Sequence, residues 1–156
     1  MVSGYPLESL RHIRELREDE ARKIVLAAEA EVGRAAEARG LAEDELSRYR
    51  QWRADETERR YDSIMHLEMS LAELEAFKAS LAALADHELV LEEKVRLAVK
   101  DEENARSALA AARALLVEAS KSVGKIEAHR EIWLEQEGRE AERLEELELE
   151  DFRVSS

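Results

Sequence analysis

Four histidines, no cysteine and a large excess of carboxylates are the side chains from which catalysis or metal binding would have to be built. His12, His66, His87 and His129 lie far apart, and none forms the His-Glu-x-x-His spacing that sets two imidazoles on one helix face around zinc. An antiparallel chain would bring His12 roughly opposite His129, but a surface pair without a third ligand makes no metal site. The lack of cysteine removes disulfides, thiolate zinc sites and cysteine nucleophiles together. Acid–base work needs carboxylates desolvated enough to separate their pKa values. In a chain with 39 % charged residues they face water. There is no glycine-rich phosphate loop after a strand. The expectation is a protein with no enzymatic activity, cofactor, metal or small-molecule substrate.

Binding chemistry is the stronger signal. Tyr49, Trp52, Tyr61 and Phe77 are interleaved with Arg48, Arg50, Arg53, Arg59 and Arg60. Aromatic residues and arginine are favoured anchors at protein interfaces. Tyr49, Trp52, Arg53, Tyr61 and Phe77, with Leu81 and Leu84, are therefore candidate partner-binding residues. The same pattern also suits aromatics inside a helix seam, with arginine stems covering them. Trp133 is a further candidate, either shielded by an N-terminal residue such as Tyr5 or offered to another protein.

These residues must be positioned by long helices. From Leu74 to Leu147, alternating steps of three and four keep one heptad register, apolar at 17 of 22 positions. A 3.5-residue repeat keeps a seam facing a partner helix. One proline, Pro6, suits a first helical turn, so helix 1 is expected over about 6–65. Its stripe is weaker: Leu7, Leu10, Ala21, Ile24, Val25, Ala28, Val32, Ala35, Ala38, Ala42, Leu46, Tyr49 and Trp52. Ser70-Leu71-Ala72-Glu73 reads as a capping box, with Met69 and Leu74 as its hydrophobic staple. That leaves a turn over about 66–69 and helix 2 over about 71–152. The fold expected is all-α: one long two-helix antiparallel coiled-coil hairpin over residues 1–156, with a C-terminal helical overhang. Facing residue numbers should sum to roughly 136, leaving residues past about 130 without a partner in helix 1. Alanines at 27, 28, 30, 35 and 36 would oppose those at 105, 108, 110, 111 and 112 and let the backbones approach closely.

The net charge of −13 is uneven: between Glu131 and Asp151 ten acidic residues meet only Arg139 and Arg143, a net −8. Such a surface repels nucleic acid and anionic lipid. No apolar run is long enough for a signal peptide or a membrane span, so no membrane insertion is expected and the expected location is the cytoplasm.

Several stretches match a known pattern, and within them the Tyr5-Pro6-Leu7 start, Trp52-Arg53 and Phe152-Arg153 are not explained by composition. They are the start Tyr5-Pro6-Leu7-Glu8-Ser9-Leu10-Arg11-His12, the central Tyr49-Arg50-Gln51-Trp52-Arg53, and Glu58-Arg59-Arg60-Tyr61-Asp62-Ser63-Ile64-Met65. At the end, Trp133-Leu134-Glu135-Gln136-Glu137 and Glu150-Asp151-Phe152-Arg153 complete the set. On these the chain resembles the YscO/FliJ-like stalk proteins of type III secretion systems, closest to the virulence YscO branch, over nearly its whole length. The resemblance implies an antiparallel helical hairpin similar to the central stalk of rotary ATPases. It implies a bacterial, cytoplasmic stalk, peripheral to the secretion apparatus, that links the hexameric secretion ATPase to the export-gate ring and contacts secretion chaperones. A cytosolic scaffold or chaperone unrelated to secretion is the alternative. A lipid-binding amphipathic helix and a homodimeric four-helix bundle are further readings.

Overall fold

The computed structural model describes residues 4–155. They form two helices, α1 (Glu8–Ile64) and α2 (Leu71–Ser155), with no strand among the described residues. The chain enters α1 through Pro6, whose missing N–H would have no intrahelical partner there. The Glu8 N–H donates to the Tyr5 carbonyl at 3.1 Å, closing the first turn.

The connection is short because both of its ends are specified. α1 stops in a tight turn, with the Leu67 N–H donating to the Ile64 carbonyl at 3.1 Å and His66 at φ 69°. A side chain in the left-handed region costs about 1–2 kcal/mol, a cost glycine would avoid. α2 begins where the Ser70 hydroxyl accepts from the Glu73 N–H at 3.2 Å. The Ser70 carbonyl accepts from Leu74 N–H at 3.0 Å. The serine half of the expected capping box is thus in place.

Packing divides the chain into two compact units. In the unit formed by Ala28–Leu109, α1 and α2 run antiparallel on either side of the turn. Its buried apolar residues are Ala42 and Leu46 from α1 and Leu91, Ala105 and Leu109 from α2. In the unit formed by residues 4–27 and 110–155, Tyr5, Ala21 and Val25 are buried with Ala112 and Ile126. Every buried residue of α2 lies on the heptad register traced from Leu74.

α1 carries an equally regular seam, but a different one from the apolar stripe. Two heptad tracks stay out of full solvent along the helix. One is Arg11, Glu18, Val25, Val32, Arg39, Leu46, Arg53 and Arg60; the other is Arg14, Ala21, Ala28, Ala35, Ala42, Tyr49 and Glu56. Ile24, Leu7 and Trp52, assigned to the stripe by apolarity, are exposed. So are Ala27, Ala30, Ala108, Ala110 and Ala111. The close-packed alanines are Ala21, Ala42, Ala105 and Ala112.

Candidate interaction surface

The polar residues on these tracks meet across the seam. In the Ala28–Leu109 unit, Arg39 Nε donates to Glu102 Oε2, and Glu102 also accepts from Arg106 Nη2 at 2.8 Å. Glu102 is the one buried charged side chain among the described residues. The guanidinium of Arg106, then that of Arg39, holds its carboxyl below the ordinary value of 4.5. Two heptads toward the turn, Arg53 Nη1 lies 3.2 Å from Glu88 Oε2. Residue numbers sum to 141 in both cross-seam pairs. Arg50 adds a bond to Glu92 at 2.8 Å, and Lys94 one to Glu45 at 2.7 Å. Interruptions of this kind fix the register of paired helices, because a shift by one heptad in either direction would leave Arg39, Arg53 and Glu102 facing apolar residues.

The candidate aromatics lie in the same unit, and each is held by a definite contact. The Tyr49 hydroxyl donates to the Leu84 carbonyl at 2.8 Å. Its ring lies 4.7 Å from that of His87, edge-on, and 5.5 Å from that of Trp52. Tyr61 and Phe77 meet edge to face at 5.4 Å. Such pairs stabilise by about 0.5–1.5 kcal/mol beyond area burial. Tyr49, Phe77, Leu81 and Leu84 are half-buried seam residues, while Trp52 and Tyr61 remain 43 % and 51 % exposed. Arg53 is engaged by Glu88. Beside Tyr61, the turn exposes Met65, Leu67 and Leu71. The aromatic cluster therefore has two parts: a seam layer, and a solvent-facing layer of Trp52, Tyr61 and the turn. Sequence apolarity did not separate these parts; the heptad position of Tyr49 does.

In the other unit, Trp133 is shielded. Its ring lies 5.5 Å from that of Tyr5, whose hydroxyl is hydrogen bonded to His129 Nδ1 at 2.5 Å. Arg11 Nε donates to Glu127 Oε1 at 2.7 Å, and Arg14 Nη1 to the Ser122 carbonyl at 2.9 Å. Arg130 Nε lies 3.8 Å from Glu8 Oε2. Trp133 thus has no partner in α1 but is covered by Tyr5, which packs on α2 ahead of the start of α1. His129 is engaged by Tyr5, and His12 is solvent-exposed. From Glu140 onward α2 is exposed on every side, including the seam positions Leu144 and Leu147.

Among the described residues, no group of three histidine, aspartate or glutamate side chains is placed to hold a metal ion. No helix there is long and apolar enough to cross a membrane.

The family model for the type III secretion protein YscO matches residues 7–155. The crystal structure of the type III secretion protein YscO from Vibrio parahaemolyticus superposes with a TM-score of 0.87 at 29 % identity. The match covers 94 % of this chain and 92 % of that one. No curated protein matches the chain in sequence. A family match over almost the whole of both helices, joined to the same fold in a solved relative, places the chain in the YscO family of type III secretion proteins.

Proposed function

We propose that this protein is a non-enzymatic stalk and adaptor of a bacterial type III secretion system. It links the hexameric secretion ATPase to the export-gate ring from the cytoplasmic side and receives secretion chaperones. The observation that carries the reading is the antiparallel pairing of α1 and α2 in a YscO-family chain. The family resemblance implies for such a hairpin a likeness to the central stalk of rotary ATPases. The exposed layer of Trp52 and Tyr61, with Met65, Leu67 and Leu71 beside it, serves as the face for the export gate, backed by Tyr49, Arg53, Phe77, Leu81 and Leu84. Solvent-exposed aromatics with apolar neighbours match the composition of interface hot spots.

The test is ATP hydrolysis and oligomer size of the same organism's secretion ATPase, with and without the protein. Stoichiometric conversion to hexamer with faster hydrolysis supports the stalk. Unchanged hydrolysis and no binding would move the assignment to a scaffold or chaperone acting elsewhere in secretion.

A further inference from the structure

The seam of α2 continues past the point where any other described residue covers it. On one track Glu88, Val95 and Glu102 follow each other at seven-residue steps, and Glu137, Leu144 and Asp151 repeat that acidic–apolar–acidic order. In the Ala28–Leu109 unit the first triplet is answered by Arg53, Leu46 and Arg39 of α1: the arginines pair with the glutamates, and Leu46 is buried. The second triplet has no such answer among the described residues, because α1 begins at Glu8 and does not extend along it. Glu137 is half-buried at the rim, and Leu144 and Leu147 are 51 % and 48 % exposed. Leu149 and Phe152 widen the apolar surface beside them.

Charge decides what fits. The stretch from Glu131 to Asp151 carries a net −8, so a second copy of it would face like charge along its whole length. Anionic lipid and nucleic acid are repelled for the same reason. We infer that the seam from Glu137 to Val154 docks an amphipathic helix of another protein, in which two basic residues fourteen apart flank an apolar one. The helix spans about three heptads, roughly 30 Å. Its basic residues meet Glu137 and Asp151 as Arg53 and Arg39 meet Glu88 and Glu102, and its apolar residue meets Leu144. The inference holds whichever component of the apparatus carries the helix, and it does not depend on the stalk reading.

Two synthetic three-heptad peptides on one lysine- and alanine-rich helical scaffold test it. One carries Arg-Leu-Arg at seven-residue steps along its seam, the other Glu-Leu-Glu. Binding to the full chain is read by fluorescence anisotropy at physiological salt. The Arg peptide should bind at least about tenfold tighter than the Glu peptide, since charge-assisted pairs at a partly desolvated seam set specificity. A Glu137→Arg/Asp151→Arg double variant should reverse that preference, and Leu144→Ser/Leu147→Ser should abolish binding of both. These positions are exposed or at the rim, so circular dichroism should show the helices intact. Equal binding of the two peptides, or a preference unmoved by the charge reversal, would overturn the inference. So would sedimentation showing a dimer that Leu144→Ser/Leu147→Ser dissolves, because the occupant would then be a second copy.

Discussion

Arg39 and Glu102 form a cross-seam ion pair at the same heptad positions as Arg53 and Glu88, two heptads away along both helices. One partner of this pair, Glu102, is buried, so reversing either charge sets two like charges against each other across the seam, relieved only by the same-helix partners Arg106 and Glu43. Glu102→Arg and Arg39→Glu should each lower the melting temperature by about 5 °C or more. The double swap should recover part of the loss, because it restores the cross-seam pair while setting like charges beside Arg106 and Glu43. Thermal denaturation of the three variants checks this. Additive losses in the double variant would show that the pair does not set the register.

Glu102 also gives the fold a pH dependence. Its carboxyl is held below 4.5, first by Arg106 and then by Arg39. A carboxyl with a depressed folded-state pKa contributes stability that is full above its unfolded value and lost as pH falls through the folded one. Glu56 and Glu93 are depressed in the same direction by Arg59 and Arg60 and by Arg96. Urea midpoints should therefore fall as pH drops below about 4.5, the ordinary carboxylate value. Glu102→Gln should be less stable than the parent at neutral pH and show a shallower decline. Parallel declines for parent and variant would show that Glu102 titrates alike in both states.

The pairing direction, the turn and the register of α2 were legible because each has a local signal. Ser70 marks a helix start by its own hydroxyl, and the heptads of α2 are apolar enough to count. α1 was harder to read for a physical reason. Its first track alternates Val25, Val32 and Leu46 with Arg11, Glu18, Arg39, Arg53 and Arg60, so hydropathy alone breaks the pattern. Those charges look like solvated residues until α2 is set against them. Glu88, Glu102 and Arg130 then turn out to be cross-seam partners and not gaps in the seam. The aromatic candidates were found as a cluster, but their division into seam and surface needed the same alignment. The sequence leaves the shielding of Trp133 by Tyr5 open, because Tyr5 precedes the helix and lies outside its heptads.

The turn is open to improvement at one residue. His66 occupies the left-handed region at φ 69°, where glycine carries no steric penalty. His66→Gly should stabilise the fold by about 0.5–1 kcal/mol, less than the full steric cost because glycine also gains freedom in the unfolded chain. Ser70→Ala, four residues on, should cost about 1 kcal/mol through the lost cap. Urea denaturation at neutral pH measures both. A destabilised His66→Gly would mean that the imidazole makes contacts worth more than the backbone strain.

Burial separates two apolar residues of α2 that look alike in sequence. Ile126 is 3 % exposed and packs in the seam, while Leu144 sits on the same register and is uncovered. Ile126→Ala should cost about 2–4 kcal/mol, and Leu144→Ala no more than about 0.5 kcal/mol. Comparable costs in calorimetry would mean that the C-terminal part of α2 is covered in solution, as by self-association.

Tyr5 covers the seam of α2 beside Trp133, and the indole reports on it. The chain has two tryptophans, so Trp52→Phe leaves Trp133 as the single emitter and spares the seam, since Trp52 faces solvent. In that background Tyr5→Ala should shift emission to the red as water reaches the indole. It should also cost about 1.5–3 kcal/mol, the value of burying one large side chain. Tyr5→Phe keeps the ring against Trp133 and removes only the bond to His129, so emission should stay put while stability falls by about 0.5–1.5 kcal/mol. A red shift in both variants would assign the shielding to the hydroxyl–imidazole bond that positions the ring. No shift in either would show that Trp133 is covered by something other than Tyr5.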